Sequence, residues 1–154
     1  MAGKIDARLA ELGIELPEAP APAANYVPWV KSGYLLFVAG QVSGNNQGMH
    51  KGRLGDDLSL EDGVAAARAC ALNLVAQAKA GCGGDLDRVA QVVKLGGFVA
   101  CTPDFVQQPQ VVNGASDLIV DIFGAKGRHA RFAVGAPALP MGFAVEIDAM
   151  FEIA

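Results

Sequence analysis

The segment SLEDGVAAARACALNLVAQAKAG, residues 59–81, most constrains how this chain can fold. Ser59 followed by Asp62 resembles a capping box, with Asp in place of the usual Glu. Val64, Ala67, Ala71, Leu74, Val75 and Ala78 then recur at helical spacing, and Gly81 ends the run. A helix of about six turns with one apolar stripe needs a broad apolar surface to pack against. The flanking segments supply it, because they read as strands.

YVPWV (26–30) and YLLFVAG (34–40), separated by KSG, carry a hairpin signal. RVAQVVKLGGFVA (88–100) reads as one strand, broken or bulged near Gly96-Gly97. A second helix begins at Pro109, an acceptable first-turn residue, and ends at Gly124. RFAVGA (131–136) and FAVEIDAMFEI (143–153), joined through PALPMG, close the chain as a second hairpin. At the other end, residues 4–13 form a short amphipathic helix with Ile5, Leu9 and Leu12 on one face. The extended connector LPEAPAPAANY (16–26), with Pro17, Pro20 and Pro22, follows it. The stretch QVSGNNQGMHKGRLGDD (41–57) reads as a long exposed polar loop. After the first helix the order is ββαβαββ, which packs as α+β with the helices on one face of a mixed sheet.

Of the 154 residues, 52% are hydrophobic, and mean hydropathy is +0.31. That exceeds what one small subunit buries and favours self-association. The apolar run 132–145 is interrupted by Pro137 and Pro140, so no segment reaches the roughly 18 residues of a membrane span. No apolar signal segment opens the chain, and a soluble, cytoplasmic protein is expected. Net charge −4 and pI near 5.0 disfavour nucleic-acid binding, which needs a basic face. Cys70, Cys82 and Cys101 form no C-x-x-C pair and, with His50 and His129, give no metal-ligand spacing. The cysteines read as small buried hydrophobes. The glycines at 44, 48, 52 and 55 lack both G-x-G-x-x-G and a G-K-[ST] ending, so they do not read as a phosphate cradle.

Arg131 and Glu146 bracket the uncharged stretch from Phe132 to Val145. An arginine at a strand start can grip a small carboxylate through two parallel hydrogen bonds. Read alone, it is as simply a solvated side chain. Glu146 shares a strand face with Asp148, Met150 and Glu152. That row is either plain solvent-facing polarity or the carrier of a partly desolvated carboxylate that activates water.

The segments VKSGYLLFVAGQVS, AARACALNLVAQAKAGCGGDLDRVAQVVKLGGFVA, DFVQQPQVVN to DIFG, and ARFAVGAPALPMGFAVEIDAMFEI resemble the reactive-intermediate deaminase family, also called the YjgF-like, Rid or L-PSP family. The resemblance covers about residues 25–153 and divides the chain into a helix and connector (1–24) and one YjgF-like domain (25–154). It implies a chorismate-mutase-like α+β fold, a mixed sheet with two helices on one face, assembled as a homotrimer with clefts between subunits. It also implies hydrolysis of 2-imino and 2-enamino carboxylates to 2-keto acids and ammonia, with no cofactor and no metal. On this reading Arg131 grips the substrate carboxylate and Glu146 positions water, while Asn113 and Gly40 line the cleft. Deaminating members carry a tyrosine where this chain has Val27. They also carry a hydroxyl residue at Ala39 and often Cys or Ser at Ala133. Those departures leave room for a different substrate or for a non-catalytic trimeric module that binds small carboxylates or a protein partner; a ribonuclease, a name the family also carries, is less favoured by the charge.

Overall fold

The computed structural model describes residues 3–154; Met1 and Ala2, the start of the N-terminal segment, lie outside the described residues. Helix α2 (Leu60–Gly81) forms where the periodicity places it, and its capping box is complete. The Ser59 hydroxyl accepts from the Asp62 N–H while the Asp62 carboxylate accepts from the Ser59 N–H. Helix α3 (Gln108–Phe123) carries Pro109 in its first turn. Helix α1 (Lys4–Glu11) has no side-chain cap of its own. Asp87, far along the chain, accepts the N–H groups of Lys4 and Ile5 instead.

Five strands form one sheet in the order β1-β2-β7-β5-β6: β1 (Trp29–Ser32), β2 (Leu35–Val42), β5 (Val89–Ala100), β6 (Ala130–Ala136) and β7 (Val145–Ile153). β1 and β2 form the expected hairpin across Gly33 and Tyr34, with Gly33 left-handed. β5 and β6 run parallel and the other pairs antiparallel, so the sheet is mixed.

The terminal hairpin expected over 131–153 does not form. β6 and β7 share no ladder, because β5 lies between them and pairs with both. Parallel pairing needs a crossover, and α3 provides it between β5 and β6. The linker after β6 holds Pro137, Pro140 and two successive left-handed residues, Met141 and Gly142. It therefore carries the chain over the end of β5, where the Ala100 N–H donates to the Ala144 carbonyl, instead of reversing it.

Two further expectations are corrected. Gly96-Gly97 does not break β5, whose register shifts lie at Val89/Gln91 and Val92/Lys94. The glycines answer crowding on both faces. A Cβ at Gly97 would lie 2.9 Å from Val112 on α3, and one at Gly96 would press on Phe132 and Asp148. Residues 41–57 are not one exposed loop either. Gly44–Asn45 (β3) and Gly48–Met49 (β4) form a small hairpin, and Ser43 and Leu54 are fully buried. The Ser43 hydroxyl donates to the His50 carbonyl and accepts from the N–H groups of Ala144 and Val145, so this polar stretch is stitched to β7.

Both long helices cover one sheet face, and Leu36, Leu74, Leu95, Ile119, Ile147 and Phe151 fill the core between. The three cysteines are buried and unpaired. The opposite sheet face is bare. Val30, Phe37, Phe98, Phe132 and Val134 are exposed there, with Phe98 and Phe132 edge to face at 5.3 Å. No described helix is long and apolar enough to cross a membrane.

Close helix packing makes Gly114 a sensitive position, since a Cβ there would strike the Val64 carbonyl oxygen on α2. Gly114→Ala gains at most about 1 kcal/mol of helix propensity. Overpacking typically costs about 1–3 kcal/mol. Urea denaturation should therefore show net destabilisation, and a stabilised variant would refute the close contact.

Candidate functional site

Strand alternation along β7 buries Val145, Ile147, Ala149 and Phe151 and turns Glu146 to the open face. Its register partner on β2 is Val42, and a bulge between Val38 and Gln41 swings Gly40 toward it. A Cβ at Gly40 would sit 3.2 Å from the Glu146 carboxyl group, so glycine leaves that carboxyl its space. Glu146 is half-buried. Burial pushes its pKa above the ordinary glutamate value, and the neighbouring Asp148 charge adds to the shift. A carboxylate of raised basicity facing a cavity is a better proton acceptor than an ordinary glutamate.

That cavity measures about 760 Å³. Its floor is Ala39–Val42 and Glu146, and one wall is the proline-rich connector from Pro20 to Pro28. Met49, Met141 and Phe143 close the far side. The connector is fixed by hydrogen bonds. The Gln77 amide of α2, 1% exposed, donates to the Pro20 carbonyl at 2.7 Å, and the Glu18 N–H donates to Asn46 Oδ1. Gln47 donates to the Glu15 carbonyl, and the Ala39 N–H to the Pro28 carbonyl. Asn73, one turn before Gln77, is fully buried and donates to the carbonyls of Val42 and Gly44. Tyr26 and Val27 both line the cavity, but the Tyr26 hydroxyl is engaged by the Ala23 N–H. Met141 has φ 57°, and among the described residues it is the one non-glycine with positive φ. Holding a side chain there costs on the order of 1–3 kcal/mol.

Arg131 lies elsewhere. β6 is the sheet edge, and Arg131 points to the helix side, where its guanidinium donates to the Ser116 hydroxyl and to the Pro109 carbonyl, both at 3.1 Å. Pro109, Asn113 and Ser116 fall on one stripe of α3, so the guanidinium spans the exposed Asn113. The Gly127 carbonyl can only accept, which makes His129 Nδ1 the donor at 2.6 Å. His129 Nε2 lies 2.9 Å from the Ser116 hydroxyl, whose oxygen accepts from Arg131. Among the described residues Arg131 has no acidic partner, so its remaining donors are open to an anion. Ala133, two residues on, faces the core.

The four residues predicted from sequence thus fall into two pairs, Gly40 with Glu146 and Asn113 with Arg131. Arg131 is in register with Leu95, Glu146 with Phe98, and β5 separates them. They are about 10 Å apart across the strands and a similar distance along them, on opposite faces of the sheet. One chain does not bring an anion clamp and a base together. Sequence reasoning missed the cavity wall made by the connector, the buried amides of Asn73 and Gln77, the strained Met141, and the Ser116–His129 pair behind Arg131. Two amide side chains four residues apart in the otherwise apolar stretch 69–78 of α2 were a readable signal for the second of these. Met141 left none.

A family described as "YjgF/chorismate mutase-like, putative endoribonuclease" matches residues 6–152, a span that includes most of the N-terminal helix and the whole connector. Protein TCP17 of Trypanosoma cruzi is 54% identical, over 98% of this chain and 95% of that protein. The crystal structure of Atu1372 from Agrobacterium tumefaciens is 48% identical with TM-score 0.90, covering 97% of this chain and 92% of that one. A structure from Shewanella oneidensis bearing the same endoribonuclease label is 34% identical with TM-score 0.93, covering 98% of this chain and all of that one.

The raised pKa of Glu146 has a consequence for stability. The folded state holds this proton more tightly than the unfolded chain, so ionising Glu146 costs stability. The cost is absent below the ordinary glutamate pKa and complete above the raised one. Glu146→Gln should therefore melt higher than the natural protein at neutral pH, with the difference closing in acid. Parallel thermal melts at the two pH values test this, and a pH-independent difference would contradict it.

Proposed function

The chain belongs to the YjgF/chorismate mutase-like family, and from that membership we propose that it is an enamine/imine deaminase acting on small 2-imino carboxylates. The observation that carries the reading is the split of its site residues. One edge offers a cation without an acidic partner beside Asn113, and a cavity elsewhere offers a half-buried base beside Gly40. Each is half of a site for an anionic electrophile, and a second copy of the chain supplies the missing half. The bare sheet face with Val30, Phe37, Phe98, Phe132 and Val134 supports such an assembly, which we take to be a closed homotrimer.

In this mechanism Arg131 of one copy grips the substrate carboxylate and fixes the imine carbon. Glu146 of the neighbouring copy accepts a proton from water as the oxygen attacks that carbon. The proton passes to the nitrogen to give a carbinolamine; its hydroxyl proton then follows to the nitrogen as the carbonyl forms, the C–N bond breaks and ammonia leaves. The sum is imino acid plus water giving keto acid plus ammonia, with no redox change. Val27, Ala39 and Ala133 favour a second reading, a trimer that binds small carboxylates without turnover. The endoribonuclease label carried by the family is supported less well, because phosphate backbones demand a basic surface and this chain has net charge −4.

Ammonia release from freshly generated imines of several amino acids tests the activity, and no release above the uncatalysed rate would leave the binding reading. Arg131→Ala should lower kcat/KM by at least about a hundredfold, the scale for removing one partner of a buried charge pair. Arg131→Ala and Glu146→Gln chains, each inactive alone, should regain about a quarter of the natural rate when co-assembled at random, because one interface in four then has both halves. No regain would place the whole site in one chain.

A further inference from the structure

The cavity beside Glu146, at about 760 Å³, is far larger than a three-carbon imine requires. Pockets of about 300–1,000 Å³ hold drug-sized ligands. Its walls are apolar. Pro22, Val27 and Pro28 of the connector face Met49, Met141 and Phe143 across it. We propose that this space is a side-chain subsite, and that the protein acts on imino acids with large apolar side chains, of the leucine, methionine or phenylalanine kind, in preference to those of alanine or serine. The proposal rests on the deaminase reading for its chemistry, though not for its binding.

Three observations carry it. The connector is a built wall. A buried glutamine is spent on holding the Pro20 carbonyl, and further hydrogen bonds fix Glu15, Glu18 and Pro28, so the cavity persists without a ligand to shape it. Next, Val27, Met49 and Met141 are 58%, 66% and 59% exposed, and all three border the same cavity. Folding of one chain gives no reason to gather apolar side chains around one opening, whereas an apolar ligand or a neighbouring copy does, and the titrations below separate the two. Finally, Met141 keeps a long side chain at φ 57°, next to Gly142 at φ 76°, where a second glycine would relax the backbone. Strain retained at the rim of a cavity marks a side chain needed there.

The stable keto-acid products separate binding from turnover. Isothermal titration of the assembled protein with pyruvate, 4-methyl-2-oxopentanoate and phenylpyruvate should show the larger two binding at least about tenfold tighter, the scale of one or two well-buried methylenes. Met141→Gly should cut that ratio severalfold without lowering Tm, since it relieves backbone strain, and Val27→Asp should cut it without touching Met141. Equal affinities for large and small acids, or no binding, would overturn the subsite and mean that a neighbouring copy fills the cavity. If the preference appears and no imine is hydrolysed, the subsite stands and the deaminase reading falls. If imines are hydrolysed without a size preference, the deaminase stands and this proposal falls.

Discussion

Strand β5 is shared on both edges, and the rest of the molecule follows from that sharing. Its antiparallel ladder to β7 and parallel ladder to β6 oblige the chain to leave the sheet between β5 and β6, which is the place of α3. The same sharing pushes β6 to the edge, where a side chain can turn off the sheet onto the helix beside it. Arg131 does so and is held by the first turn of α3 and by Ser116. β7, now central, carries Glu146 on the face the helices leave bare. The two ionisable groups are close in sequence and distant in space because one strand stands between theirs.

Much of this was legible in the residues, and what was not had definite causes. The capping box at Ser59 and the alanine-rich stripe after it specify α2 through local chemistry, so sequence and structure agree to within a residue. Register and strand order depend on partners far along the chain. RFAVGA and FAVEI look like a hairpin because each is apolar and a turn-like linker joins them, and nothing local reveals that β5 intervenes. Gly96-Gly97 misled for a related reason. A glycine pair in a strand signals a bulge when read alone, but here it relieves crowding from α3 on one side and from Phe132 and Asp148 on the other. The candidate site residues came from resemblance to a family pattern. That pattern names types and spacings but does not say which of them one chain brings together.

Polar groups inside the fold divide the work. Ser43, Asn73 and Gln77 are buried with every partner satisfied, and they tie the 41–57 stretch and the connector to the sheet and α2. Glu146 is the contrast, a half-buried carboxylate raised by desolvation first and by Asp148 second. Cys70 lies beneath this region, and its Sγ–H donates to the Val145 carbonyl. Burial, reinforced by the Glu146 charge, keeps it a thiol. The sulfur close to Glu146 is thus held in its protonated form.

The connector that walls the cavity contributes little to the core, which is built from the helices and the sheet. Substitutions between Pro20 and Pro28 can reshape the cavity while leaving α2, α3 and the sheet ladders intact. Arg131 and Glu146 lie on those rigid elements and are insulated from such changes. A lineage can therefore change what the cavity admits by drifting in a few residues of extended chain, at small risk to folding, which separates the evolution of the cavity from the evolution of the scaffold.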